Sequence, residues 1–337
     1  MTTVTVIMGG QYGSEGKGKI AAYIAPQMAL SIRTGGPNAG HTFEHEGVTY
    51  KMQTIPCAFV NPNCLLAIGA GGVIDLEILR REIALVSDVK ERLMIDPQAS
   101  IITEADVQSE TILKKSIAST GKGVGAAIAK KVLRKDVTLA RDVEELEPYL
   151  RDVSLFANQL ADRGAEICLE GTQGFWLSLH HGEYPYVTGR DITVGTLCGD
   201  AGISPSLIKD TILVVRTYPI RVGGNSGPLS NEISWEEITK RSGCPREILE
   251  FTTVTKKVRR VGEFDIGAVK RAVMVNRPTQ IALMFVDYLN YDNFGVTEEG
   301  ALTEEATLMI TQLEVELGVP ITLVGTGPSQ NHIIDRR

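Results

Sequence analysis

Short β-branched runs alternate with amphipathic stretches along the whole chain, and this alternation restricts the fold more than any other feature. Residues 4–8, 65–68, 167–169, 211–215, 281–286 and 321–324 read as buried strands. Between them, residues 76–86, 266–275 and 304–317 carry apolar positions at helical spacing. Ser234, with Glu237 three residues on, marks a helix start as a capping box. Strands and helices in alternation predict an α/β fold: a central, mainly parallel sheet flanked by helices on both faces. Ligands on such sheets gather beyond the carboxyl ends of the strands. With no internal repeat or obvious linker, we expect residues 1–337 to form one catalytic domain, and the charged stretch 141–147 reads as a solvated helix face.

The first strand runs into Gly9-Gly10-Gln11-Tyr12-Gly13-Ser14-Glu15-Gly16-Lys17-Gly18-Lys19, and a helical pattern follows from Ile20. Small residues let backbone N–H groups approach phosphate oxygens, the helix start adds partial positive charge, and Lys17 supplies a full one. This is not a P-loop, because Gly18 stands where a Ser or Thr would bind magnesium. Taken alone, the loop fits either a phosphate cradle or a tight structural turn. The net charge of −7 gives no general attraction for nucleic acid or an acidic membrane, so an anion site must be a local basic pocket. The five cysteines, Cys57, Cys64, Cys168, Cys198 and Cys244, form no C-x-x-C pair and suit reduced thiols in a cytosol. No secretion signal or membrane-length apolar run is evident, so a cytoplasmic setting is expected.

The loop resembles the opening of adenylosuccinate synthetases, which reads Gly-x-Gln-Trp-Gly-Asp-Glu-Gly-Lys-Gly-Lys. Asn38-Ala39-Gly40-His41-Thr42 is similar to a further segment of that family, and Ser119-Thr120-Gly121-Lys122-Gly123-Val124-Gly125 resembles its second glycine loop. Glu170-Gly171-Thr172-Gln173-Gly174, Tyr184-Pro185-Tyr186-Val187-Thr188, Arg221-Val222-Gly223-Gly224, residues 253–262 and Gly325-Thr326-Gly327-Pro328 continue the series in order. An ordered series over about the whole chain is specific where any single glycine motif is not.

The resemblance implies a two-step ligase using magnesium, in which a purine 6-oxygen is phosphorylated by a nucleoside triphosphate and the aspartate amine then displaces the phosphate. It places Lys17 and His41 at the phosphoryl oxygens, with Ser14 and Gln173 also at the catalytic centre; a structural histidine is the plainer reading of His41. Ser14, Asn38, Thr120, Gly121, Gln173, Thr188 and Val222 would hold the substrate nucleotide. Gly13, Glu15, Gly16, Lys17, Gly18, Gly40, His41, Thr42, Asp287, Gly325 and Gly327 would hold the triphosphate, with Ser14 and the Gly40 carbonyl beside the metal. Thr253, Val254, Thr255, Lys257 and Arg259 resemble the aspartate-binding lid, Arg259 offering a planar fork for a carboxylate. Arg134 matches an arginine that reaches the partner subunit's nucleotide, which implies a homodimer; its plainer reading is a solvated basic helix end. His45, His180, His181 and His332 read as surface or core histidines.

Two departures bear on the substrate. Ser14 stands where the family has an aspartate that takes the N1 proton of IMP and binds magnesium, and a serine hydroxyl cannot act as a carboxylate base. A purine with a 2-amino group would make sense of the smaller residue, and a compact relative with serine here resembles the viral branch that joins dGMP to L-aspartate, which would place the chain in a host cytoplasm. At the triphosphate base, Met284-Phe285-Val286-Asp287 replaces the family's Thr-Lys-x-Asp. Losing that lysine weakens the case for GTP and favours ATP or dATP, while Phe285 either stacks on a base or fills core. The ordinary reaction with IMP, aspartate and GTP is the alternative, and a non-catalytic nucleotide sensor is a further one. A dinucleotide oxidoreductase is the least favoured class, because the first loop lacks Gly-x-Gly-x-x-Gly at the proper position and no acidic residue suits the ribose.

Overall fold

The computed structural model describes residues 2–86, 88–252 and 257–337; the expected aspartate-site residues Thr253, Val254 and Thr255 lie outside them. Its centre is an 11-stranded sheet. From one edge the order runs Ile333–Asp335, Ile321–Gly325, Gln280–Met284, Ile208–Arg216, Val4–Gly9, Ile167–Glu170, Leu30–Gly35, Leu65–Ile74, Ser100–Ile101, Thr138–Leu139, with Leu93–Ile95 also on Leu65–Ile74. The interior pairs are parallel, and antiparallel pairs occur only at the two edges among the described strands of this sheet. The mainly parallel sheet expected from the sequence is therefore present.

Both faces of the sheet are covered, which explains why its strands read as continuous apolar runs. Val4, Val6 and Met8 pack into one core with Leu213 and Val215. Ile7 packs into the other with Ile212 and Val214. The covering helices have identifiable starts and stops. Asp75 accepts hydrogen bonds from Glu77 and Ile78 N–H at 3.0 and 3.2 Å and opens Leu76–Leu85. Thr303 opens Glu304–Leu317, and Gly318 in the left-handed region ends it.

The structure differs from the sequence reading in several places. The strand expected over 281–286 stops at Met284, because Phe285 turns into the left-handed region at φ 66° and Val286–Tyr288 forms a 3-10 turn. Residues 141–147 are not one helix face: they fall in the 3-10 turns Ala140–Asp142 and Glu144–Tyr149, with Leu146 buried. Ser234 does accept the Glu237 N–H at 3.1 Å, but the Glu237 carboxylate accepts from Arg241 at 2.8 Å instead of turning back to complete the box. Strand Leu30–Gly35 went unread because Ser31 and Arg33 interrupt its apolar pattern, although both are buried. Among the described residues no helix is long and apolar enough to cross a membrane, and the cysteines are free thiols.

Candidate active site

The carboxyl ends of adjacent strands converge on one region, as open parallel sheets require. After Val4–Gly9 the chain turns through Gly13, Ser14 and Gly16, all at positive φ (88°, 60° and 103°), and enters helix Lys17–Ile24. Glu15 organises this turn from within. Its fully buried carboxylate accepts from the N–H groups of Gln11 (3.1 Å) and Gly13 (2.7 Å) and pairs with the Lys17 ammonium at 2.5 Å. Lys17 is thereby held at the first helical position beside the helix's unpaired N–H groups. Gly18 has a packing reason: a Cβ there would sit 2.5 Å from the Cβ of His41. Close approach of helix and histidine therefore excludes the Ser or Thr of a P-loop.

His41 is held by a buried charge cluster. Its Nδ1 lies 2.7 Å from Glu170, whose same oxygen accepts from Arg33 at 2.7 Å; the other Glu170 oxygen accepts the Cys57 N–H at 2.6 Å. Arg33 also donates to the Ala39 carbonyl at 2.9 Å, fixing the loop that carries Asn38 and Gly40. Burial would raise the Glu170 carboxyl, but the hydrogen bond from His41 and the charge of Arg33 prevail and hold it below the usual range. Burial, reinforced by Arg33, lowers His41 to about 4. Glu170 therefore accepts the Nδ1–H hydrogen bond of a neutral ring, leaving Nε2 buried and unpartnered.

Two cavities meet here. The smaller, about 400 Å³, is lined by Tyr12, Gly13, Asn38, Thr120, Gln173, Thr188, Arg221 and Val222. Gln173, itself at φ 60°, donates to the Thr188 hydroxyl at 3.1 Å, and the Asn38 side-chain oxygen is buried without a partner. The larger, about 800 Å³, is lined by Gly16, Gly18, Lys19, Thr42, Phe285, Asp287, Tyr288 and Gly327. Ser14, Lys17, Gly40, His41, Thr252 and Arg259 line both. The common wall thus carries two cationic side chains, an unpartnered imidazole nitrogen and a neutral hydroxyl.

In the lining of the larger cavity, Asp287 is buried with Oδ1 unpartnered. Burial raises its carboxyl to about 6, partly offset by its own N–H, Lys19 and Arg216. Lys19, lowered by burial to about 7, donates to the Gly327 and His332 carbonyls at 2.7 Å each and so pins the C-terminal glycine loop. For an acid with a raised folded-state pKa the penalty is absent below the unfolded value near 3.8, grows as pH rises, and is complete above about 6. Asp287→Asn is therefore expected to be the more stable protein at pH 8, by about 1–3 kcal/mol, with the gap closing toward pH 4 in urea melts. A gap that did not change with pH would mean an ordinary carboxyl.

The structure brings most of the expected residues to these cavities, but not all. Gly121 and Gly325 lie behind the walls, packed against Lys114 and Met284, and the Glu15 side chain faces its own loop. Lys257 and Arg134 are exposed and line neither cavity. His45, His180, His181 and His332 also line neither; His180 pairs with Asp191, and His181 stacks on Phe175. Sequence reasoning missed Arg33, Arg216 and Glu250 and gave Glu170 no role. For Arg33, Glu170 and Arg216 the available signal was a charge within or ending an apolar strand, since such residues are buried only when paired; Glu250 lies in no strand and carried no such signal.

A glycine-rich loop at the switch point of a parallel sheet, with two cavities sharing a wall that carries Lys17 and Arg259, defines an α/β protein with room for two anionic ligands. Comparison with known proteins agrees. The sequence model of the family described as adenylosuccinate synthetase matches residues 6–143 and 138–297. The adenylosuccinate synthetase of Methanocaldococcus jannaschii is 42% identical over 345 residues, covering 100% of this chain and 98% of that protein. That of Archaeoglobus fulgidus is 41% identical over 340 residues, covering 99% and 98%. Among solved structures, fully ligated adenylosuccinate synthetase from Plasmodium falciparum superposes with a TM-score of 0.91 at 22% identity, covering 100% of both chains. Cyanophage S-2L succinoaminodeoxyadenylate synthetase (PurZ), bound to dGMP and dATP as an energy donor, gives 0.83 at 29% identity, covering 100% of this chain and 96% of the other. The chain belongs to the adenylosuccinate synthetase family.

Proposed function

We propose that this ligase joins L-aspartate to C6 of dGMP, with ATP or dATP as phosphoryl donor. The purine 6-oxygen attacks the γ-phosphorus, ADP or dADP leaves, and the N1 proton is lost. The aspartate amine then adds at C6, and phosphate departs as the new C–N bond is completed. The smaller cavity takes the dGMP and the larger the triphosphate, so that the 6-oxygen and γ-phosphate meet at the wall common to both. There Lys17 and His41 face the transferring phosphoryl, and Arg259 offers its fork to a carboxylate.

The observation that carries the dGMP reading is Ser14. It lines both cavities, and a hydroxyl on that wall, where a carboxylate base would serve IMP, would leave room for a 2-amino group beside N1. The likeness to the phage enzyme bound to dGMP and dATP supports the same reading. Magnesium fits the same wall: the Gly40 carbonyl and Ser14 hydroxyl are hard oxygen donors, and phosphate oxygens would complete its shell. When bound it would neutralise charge on the triphosphate. For the donor base, Asp287 offers an acceptor to an exocyclic amine, and no lysine follows Met284 to meet a guanine 6-oxygen. Arg134 ends helix Val124–Leu133 in the left-handed region, beside Val132 and Leu133 at 69% and 71% exposure. An arginine turned outward next to exposed apolar residues supports a homodimer in which Arg134 reaches the partner's nucleotide.

The second reading is the ordinary reaction with IMP and GTP, favoured by the names of the archaeal relatives. Purified protein with magnesium and aspartate, offered dGMP or IMP in parallel with ATP, dATP or GTP, separates the two. The proposal expects phosphate release and a succinylated product with dGMP. Turnover confined to IMP would overturn it.

A further inference from the structure

Arg216 is fully buried at the end of strand Ile208–Arg216, yet it lines neither cavity. Its contacts reach three parts of the site. The guanidinium forks onto both carboxylate oxygens of Glu250 and donates to the Ser14 carbonyl at 3.1 Å. Its Cζ lies over the Phe285 ring, 3.9 Å from the ring centre. The Gln11 side chain holds the Arg216 backbone at both N–H (2.9 Å) and C=O (3.1 Å), so the strand end cannot shift independently of the first loop. Glu250 in turn belongs to the chain segment that presents Arg259. The Arg259 N–H donates to the Glu250 carbonyl at 2.9 Å, and Phe251 pairs with Val258 next to it. Burial would raise the Glu250 carboxyl; Arg216 overrides this and leaves it below the usual range.

We propose that Arg216 is a positioning residue that fixes the carboxylate-binding Arg259 and the Phe285 ring relative to Ser14, so that amino-acid and donor affinity depend on one buried guanidinium. The geometry also answers what Phe285 does. One face is occupied by Arg216, and the ring still lines the larger cavity. Its remaining face is a platform for the donor base, in a guanidinium–ring–base stack. A lysine cannot reproduce a fork and a flat face together.

The inference rests on the ligase reading and not on the choice of dGMP over IMP, and the assay uses whichever nucleotide turns over. Arg216→Lys is expected to raise KM for aspartate and for the triphosphate by about tenfold each. KM for the purine nucleotide and kcat should move less, because a lysine ammonium can keep the hydrogen bond to the Ser14 carbonyl while losing the fork and the ring contact. Glu250→Gln should raise KM for aspartate most and KM for the triphosphate by a smaller factor, because Glu250 seats the guanidinium and also lines the larger cavity. Phe285→Leu should do the reverse, and its effect on triphosphate KM should be smaller in the Arg216→Lys background than in the parent. A purely structural role would reduce the folded, active fraction, seen as lower kcat and Tm with unchanged KM values. That pattern overturns the proposal, as does additivity of Arg216→Lys with Phe285→Leu. If the parent shows no aspartate-dependent turnover with any purine nucleotide, the ligase reading itself fails; direct triphosphate binding to the parent and both variants then still tests the stack.

Discussion

Replacing His41 with asparagine is expected to lower kcat for aspartate-dependent phosphate release by about 10²–10⁴-fold, with KM for aspartate little changed. The size follows from where the ring sits. Nε2 is buried and unpartnered on the wall common to both cavities, while Nδ1 is held by Glu170. Without ligands the ring is neutral near pH 7, since burial and Arg33 lower it to about 4. Under the proposed function a triphosphate beside Nε2 would reverse that balance, because its charge would favour the imidazolium that Glu170 already stabilises from the other side. The ring would then become a hydrogen-bond donor as the γ-phosphoryl arrives. Asparagine can offer a donor but neither the charge nor the proton. Glu170→Gln should lose part of the same effect, because the ring would lack the carboxylate that favours its charged form. Steady-state kinetics on both variants check this; a His41→Asn enzyme within about fivefold of the parent would remove the histidine from phosphoryl transfer.

The sequence made the fold legible where physics is local. Continuous apolar runs such as residues 4–8 and 211–215 could only be strands buried on both faces, and the structure places them side by side in the centre of the sheet. The glycine loop was legible too, since a backbone passing through positive φ at Gly13 and Gly16 requires such residues. The machinery behind the site was not legible. Arg33 meets Glu170 across 137 positions of sequence, and Arg216 meets Ser14 across 202. Nothing local announces either pair; only the anomaly of an arginine in an apolar strand hinted at them. Phe285 shows the same limit. It looked like the penultimate position of a strand, but a left-handed backbone turns its ring between a buried arginine and a cavity.

Ser14→Asp is expected to invert substrate choice, raising turnover of IMP by about 10²-fold or more while depressing that of dGMP. The backbone tolerates the change. Ser14 already sits at φ 60°, a region that aspartate enters more readily than most residues, and its carbonyl stays anchored by Arg216. What changes is the charge and bulk of one side chain on a wall that also carries Lys17, His41 and Arg259. On the proposed function a carboxylate there would gain a proton-accepting role toward N1 and fill the space next to C2. For IMP, with hydrogen at C2, only the first effect matters. For dGMP the second opposes it, although a carboxylate drawn away from the metal could accept from both N1–H and the 2-amino group. The two nucleotides therefore weigh room against an extra acceptor, and the ratio of their kcat/KM values in parent and variant measures which prevails. A variant that gained activity on both nucleotides equally would show that the hydroxyl is a damaged base, not a specificity device.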